Sequence, residues 1–177
     1  MPDISIKEIF DISRTALVQH GALDWVAGDV ASAIAASESV GNKICGLYYL
    51  ESYCEQLISG RVDGRAAPEI QLVRNGSVYV NAKDGFAQPA FSKGLPEALK
   101  VARENGIASL SVGRAHTCTS LGYFTKQIAE SGFLGLGLTN ASPIVAPPGG
   151  KSRIIGTNPI AFSVPDGSGG IAMQFDQ

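Results

Sequence analysis

PPGGKSRIIGTNPIAF, residues 147–162, sets a Pro-Pro-Gly-Gly run and a Gly-Thr-Asn-Pro tetrad around a short apolar pair. Pro147-Pro148-Gly149-Gly150 alternates fixed with permissive backbone, the composition of a sharp turn. Lys151 and Arg153 offer cations just beyond it. Pro159 crowds the residue before it, so Asn158 is expected to be extended. Thr157 and Asn158 then present a hydroxyl and an amide. Two readings fit these residues: a surface hairpin between two strands, or one wall of a ligand site.

Working outward, FLGLGLT (133–139) precedes this stretch, and IAFSVP (160–165) and IAMQF (171–175) follow it, all three reading as strands. Upstream, IASLSV (107–112) reads as a strand and Ser120 to Glu130 as a helix. Residues 87–105 have a helical pattern with Pro96 inside it, which predicts a break or kink there. Asn75-Gly76 between Ile70/Leu72 and Val78/Val80 predicts a hairpin. Before Pro68 the periodicity is helical. Ile6 to His20-Gly21 forms one helix, about Asp24 to Val40 a second, and about Cys45 to Ser59 a third that ends at Gly60. The expected fold is α/β: a helical N-terminal unit over 1–66, then a partial α/β domain over 67–177 with an incomplete mixed sheet and flanking helices. The last strand stops with the chain at Gln177, which predicts less than a whole fold.

The totals exclude several classes of function. With 177 residues, 45% hydrophobic content, a net charge of -2 and a pI near 5.6, the chain has a real core and scattered basic residues. That argues against a nucleic-acid surface, which needs clustered cations. Met1-Pro2-Asp3 opens no signal peptide, and no apolar run approaches a membrane span, so a cytoplasmic protein without membrane contact is expected. Cys45, Cys54 and Cys118 show no CxxC pairing, and His20 and His116 no HExxH spacing. Neither a disulfide framework nor a metal site is expected. Cys45 and Cys54 lie nine residues apart on the third helical pattern, where core packing suits both.

The common nucleotide fingerprints are absent. Gly135-Leu136-Gly137 lacks the third glycine of GxGxxG and falls within a strand, and no GxxxxGK[ST] or GxSxG occurs. GRAHTCTSLGYF (113–124) is more informative, with His116, Thr117, Cys118, Thr119 and Ser120 between a strand and a helix. Backbone N–H groups and hydroxyls at a helix N-terminus can cradle an anion. The same residues also suit an ordinary cap by Thr119 or Ser120.

In order and spacing, ESYCEQLISGRVDGRAAPEI (51–70), DGFAQPA (84–90), HTCTSLGYF (116–124), LTNASPIVAPPGG (138–150) and GTNPIAF (156–162) resemble the malate/L-lactate dehydrogenase family of non-Rossmann NAD(P)-dependent oxidoreductases. That family includes ureidoglycolate dehydrogenase and the reductases of Δ1-piperideine-2-carboxylate and Δ1-pyrroline-2-carboxylate. The resemblance covers the family's N-terminal half. It implies a homodimer that transfers hydride between NAD or NADP and a 2-hydroxy acid, 2-oxo acid or cyclic 2-imino acid. It also implies a small-molecule substrate and a C-terminal half beyond this chain. The family's Ser-His-Gly and following Arg fall on Ile44, Cys45, Gly46 and Tyr49, which puts Cys45 at the proton donor's position and Tyr49 at the carboxylate contact. Thr157 falls on a substrate-contacting threonine. His116, Thr117, Cys118, Thr119, Ser120 and Leu121 fall on a cofactor loop, with the family's histidine at Thr117, and Asp176 on a further nucleotide-binding stretch. The alternative expectation is a catalytically inactive remnant that serves as a dimerising or binding module.

Overall fold

A computed structural model describes residues 4–177. Ser5 caps the first helix, α1 (Ile6–Gln19), in a reciprocal box with Glu8. Helix α2 (Asp24–Ser39) packs against it through Val26, Val30 and Ile34. Two short 3-10 turns, Lys43–Cys45 and Leu47–Tyr49, lead into α3 (Leu50–Ile58). Tyr53, Val62 and Phe86 complete the core that these helices share.

The Asn75-Gly76 turn joins β1 (Glu69–Arg74) to β2 (Ser77–Phe86), antiparallel as the hairpin signal predicts. β2 runs directly into α4 (Ala87–Asn105), which returns the chain to β3 (Ser109–His116), parallel to β2. A parallel pair needs such a crossover. Of the break or kink expected at Pro96, the break does not occur, since helix α4 is continuous through it. Pro96 and Ser92, whose carbonyl loses its donor, both lie on the exposed side, while Ala90, Phe91, Gly94, Ala98 and Val101 are buried. The proline thus costs one hydrogen bond where water is at hand and leaves the packed face intact.

The chain divides into two compact units, one ending at Thr119 and the other Ser120–Gln177. The change from helical to alternating pattern at 66/67 is internal to the first. The second unit holds α5 (Gly122–Glu130) and an antiparallel sheet of β4 (Gly135–Leu138), β5 (Ile160–Pro165) and β6 (Ile171–Asp176), in the order β4-β5-β6. The architecture is the expected mixed α/β, with the six strands among the described residues shared between two three-stranded sheets. Among the described residues no helix is long and apolar enough to cross a membrane.

Pro147–Gly150 forms the expected turn. Gly150 N–H donates to the Pro147 carbonyl at 2.8 Å, with Pro148 second and Gly149 third at φ 76°, the residue choice of a type II turn. Beyond it, Val145 and Ile155 form an isolated bridge. Asn158 departs from expectation, since its φ is 46° rather than extended. Asparagine tolerates this conformation, and its Oδ1 accepts the Ala141 N–H at 3.0 Å, which stabilises it. Gly156 has to be glycine, because a Cβ there would lie 2.2 Å from the Ala141 carbonyl oxygen.

Candidate functional site

The segment expected to be one helix from Cys45 is broken at Gly46, whose ψ of -132° is not helical. Glu38 explains the break. Its Oε1 accepts the Leu47 N–H at 2.8 Å, and a Cβ on Gly46 would lie 2.3 Å from the same oxygen. Cys45 therefore ends a 3-10 turn, half-buried, with its N–H donated to the Asn42 carbonyl at 3.1 Å. Of the two cysteines expected to pack in the core, only Cys54 lies on the helix and is buried. Tyr49 ends the next turn, its ring 5.9 Å from that of Tyr53.

Tyr53 is fully buried and meets Phe86 edge-on at 5.4 Å. Its hydroxyl donates to Thr119 Oγ1 at 3.3 Å. Burial pushes its pKa well above the ordinary tyrosine value, the bond to Thr119 opposes that, and the nearby Cys118 and Cys45 thiols add to it. Tyr53 is thus held as a neutral O–H donor.

The loop it meets is strained, with φ of 51° at Thr117 and 58° at Thr119, a region that L-residues seldom adopt. Side chains from two helices hold it there. Gln88 of α4 donates its amide to the carbonyls of Thr117 at 2.9 Å and Cys118 at 3.2 Å. Thr117 donates its hydroxyl to Gln56 Oε1 of α3 at 3.1 Å, and Thr119 donates to the Cys118 carbonyl at 2.7 Å. Gln88 Oε1 is buried and has no hydrogen-bond partner. His116 ends β3 in register with Phe86 and is half-buried. At the rim, Arg114 pairs with Asp84 and holds that carboxyl below the usual range. The first unit therefore brings Thr117, Cys118 and Thr119 together with Tyr53, whose hydroxyl also feels the charge of the Cys45 thiol when that group ionises.

In the second unit, neither Thr119 nor Ser120 caps α5. Leu121 is the buried N-cap residue and makes no side-chain cap bond. The carboxylate of Asp176 takes that role, its Oδ2 accepting the Gly122 N–H at 2.9 Å and the Ser120 hydroxyl at 2.7 Å. A Cβ at Gly122 would come within 2.9 Å of that oxygen, so glycine keeps the approach open. The anion-binding end of α5 is thus occupied by the chain's own carboxylate, and a cofactor phosphate would meet like charge there. A ribose suits the carboxylate better, since its hydroxyls can donate. Thr157 is exposed in the loop before β5.

Sequence reasoning missed Glu38, Gln56 and Gln88. Gln88 carried a signal, as a polar residue amid the apolar Phe86, Ala87, Ala90 and Phe91, all of them buried. Nothing in the pattern around Glu38 or Gln56 distinguishes them from solvated helix residues.

The sequence profile of the malate/L-lactate dehydrogenase family matches residues 4–177. A Δ1-pyrroline-2-carboxylate/Δ1-piperideine-2-carboxylate reductase from Pseudomonas syringae pv. tomato is 34% identical over 98% of this chain and 50% of its own length. The (2R)-3-sulfolactate dehydrogenase (NADP(+)) of Chromohalobacter salexigens is 34% identical over 92% of this chain and 48% of its own. Among solved structures, the Δ1-piperideine-2-carboxylate reductase from Pseudomonas syringae superposes with a TM-score of 0.92 at 32% identity, covering 99% of this chain and 53% of that one. The chain spans about half the length of the curated relatives it matches.

Proposed function

The chain belongs to the malate/L-lactate dehydrogenase family, and from that premise we propose that it provides the N-terminal half of a homodimeric nicotinamide-dependent oxidoreductase. The substrate is a 2-hydroxy acid, a 2-oxo acid or a cyclic 2-imino acid, and the cofactor is NAD or NADP. The likeness in fold and sequence to the Pseudomonas syringae reductase over nearly the whole chain carries this reading, and it favours the cyclic imino acid.

When bound on these residues, a nicotinamide would supply hydride chemistry toward C2 of the substrate. This chain's residues bind, orient and protonate. Cys45 stands at the proton donor's position, where an S–H can deliver its proton to the imine nitrogen or carbonyl oxygen. Tyr53, held neutral, keeps a hydroxyl rather than an anion near that thiol. Tyr49 is a substrate contact. It cannot make the paired bonds that a guanidinium gives a carboxylate. Thr157 falls on a substrate-contacting threonine of the family. In the second unit, Ser120, Leu121 and Asp176 form the cofactor contact, with Asp176 accepting from ribose hydroxyls. In the first, His116, Thr117, Cys118 and Thr119 form the cofactor loop, held in shape by Gln56 and Gln88.

The test supplies NADH or NADPH and either Δ1-pyrroline-2-carboxylate, pyruvate or oxaloacetate to the chain mixed with the remaining half of the Pseudomonas syringae reductase. Consumption of reduced nicotinamide that requires both polypeptides is expected. A folded mixture with no turnover on any of the three substrates would refute the reading and leave a binding module.

A further inference from the structure

The large apolar side chains of the β4-β5-β6 sheet point away from the unit's one helix. On the face toward α5 the strands present Gly135, Gly137, Ala161, Ser163, Gln174 and Asp176. A Cβ at Gly135 or Gly137 would come within 3.0 Å of Thr125, and Ser163 donates its hydroxyl to Thr125 Oγ1 at 2.8 Å. Gln174 donates to the Gly122 carbonyl at 2.8 Å. This inner face is small and polar, which lets α5 sit close.

The opposite face is apolar but for Gln177, which pairs with Ile160 at the chain's last residue. Leu136 pairs across β5 with Phe162 and on to Phe175, Leu138 with Ile160, and Val164 with Met173. Leu136 is 62% exposed, Leu138 66%, Met173 51% and Phe175 48%. Single exposed leucines carry no message, but a contiguous apolar face across three strands marks an interaction surface. A sheet in a layered fold needs cover on its apolar face, and α5 lies on the other.

The geometry points to this outer face, centred on Leu136, Phe162 and Phe175, as the seat of the family's second-half polypeptide. The length relation identifies that occupant. Each relative matched along nearly all of this chain carries about as much polypeptide again. The inference rests on the proposed function only for the occupant's identity. It makes no use of hydride chemistry.

Met173 provides the probe, as one of only two methionines in the sequence. The experiment follows peroxide oxidation of Met173 by mass spectrometry in the full chain alone, and in the chain mixed with the remaining half of the Pseudomonas syringae reductase. Complex formation is followed in parallel by sedimentation velocity. The expected result is oxidation near the rate of N-acetylmethionine amide in the chain alone, and at least about tenfold slower in a one-to-one complex, since burial removes peroxide access. A Leu136→Asp, Phe175→Asp variant is expected to keep its helix content and lose the complex.

Three results would overturn the proposal. Met173 protected in the chain alone, with the chain sedimenting as a dimer, would assign the face to a second copy. A complex that leaves Met173 reactive, or that the double variant still forms, would place the partner elsewhere. No complex in the mixture, together with a reactive Met173 or no folded product in a covalent fusion of the two halves, would show that the face does not accept that half. Protection without nicotinamide turnover would sink the functional reading and leave this interface standing. Turnover with Met173 unprotected would do the reverse.

Discussion

Replacing Gln88 by glutamate keeps the shape of the side chain and removes what holds the strained loop. Gln88 is 1% exposed, and its amide satisfies two backbone carbonyls. An ionised glutamate has no donor for either, so two bonds worth about 1 kcal/mol each are lost. Burial also disfavours the charge. If the folded-state pKa rises about 2 above the ordinary value of about 4.3, the cost grows by about 2.7 kcal/mol at pH values above both. A folded pKa raised above the unfolded one makes this second cost absent below the unfolded pKa and complete above the folded pKa. The protonated acid also regains one donor. The expected deficit relative to wild type is therefore about 1 kcal/mol near pH 4, rising to about 3–4 kcal/mol near pH 8, because the raised pKa already contains the donor lost on ionisation. Urea unfolding followed by fluorescence of Trp25, the sole tryptophan and a residue of α2, measures both values. A deficit equal at the two pH values would show that Gln88 is not buried against those carbonyls.

Asp176→Ala strips the acceptor from Ser120 and Gly122 and should cost about 1–2 kcal/mol, as loss of a helix cap does. Hydrogen exchange at the Gly122 amide should quicken about tenfold for each 1.4 kcal/mol, and unchanged exchange would contradict the assignment. Tyr53→Phe loses one bond while Thr119 keeps its own to Cys118, so about 1 kcal/mol and a fall in Tm of about 2–4 °C are expected. Tyr53→Ala also removes the ring packed on Phe86 and should cost about 3–5 kcal/mol. A Phe variant as damaging as the Ala variant in a thermal melt would show that the hydroxyl matters more than this structure implies. The Asp84 carboxyl is held below its ordinary range by Arg114, so its contribution is present above that range and lost as pH falls through the lowered value. The deficit of Asp84→Asn should then shrink between about pH 7 and about pH 3, and a constant deficit would argue against the pair.

Local chemistry told most where one residue dictates the backbone. Pro148 and Gly149 announced their turn, Asn75-Gly76 its hairpin, and Ser5 with Glu8 the start of α1, because each acts within four residues. The misreadings came from longer range. Glu38 breaks the third helical segment from nine residues away, and Asn158 is pulled from its extended conformation by Ala141, seventeen residues earlier. Pro96 looked like a breaker because periodicity does not reveal that it faces water. Of the candidate site, the Thr117–Thr119 loop was legible as a motif, while its supports from Gln56 and Gln88 were not, since each lies about 30 residues or more away. Asp176 as the cap of α5 was equally hidden, the partner being 54 residues from Gly122. Helix N-termini attract anions in general, and no rule of sequence says which anion arrives first.

The measurement that bears most directly on hydride transfer is an isotope experiment. The chain, joined by the family's second half, is given Δ1-pyrroline-2-carboxylate and reduced nicotinamide carrying deuterium at the transferable C4 position. Direct transfer places deuterium at C2 of the proline formed, with the proton on nitrogen drawn from the protein and solvent. Cys45→Ala should slow formation of that product by about 100-fold or more while leaving the C2 label in place. Proline formed without deuterium at C2, or no product from a folded two-part assembly, would contradict the account.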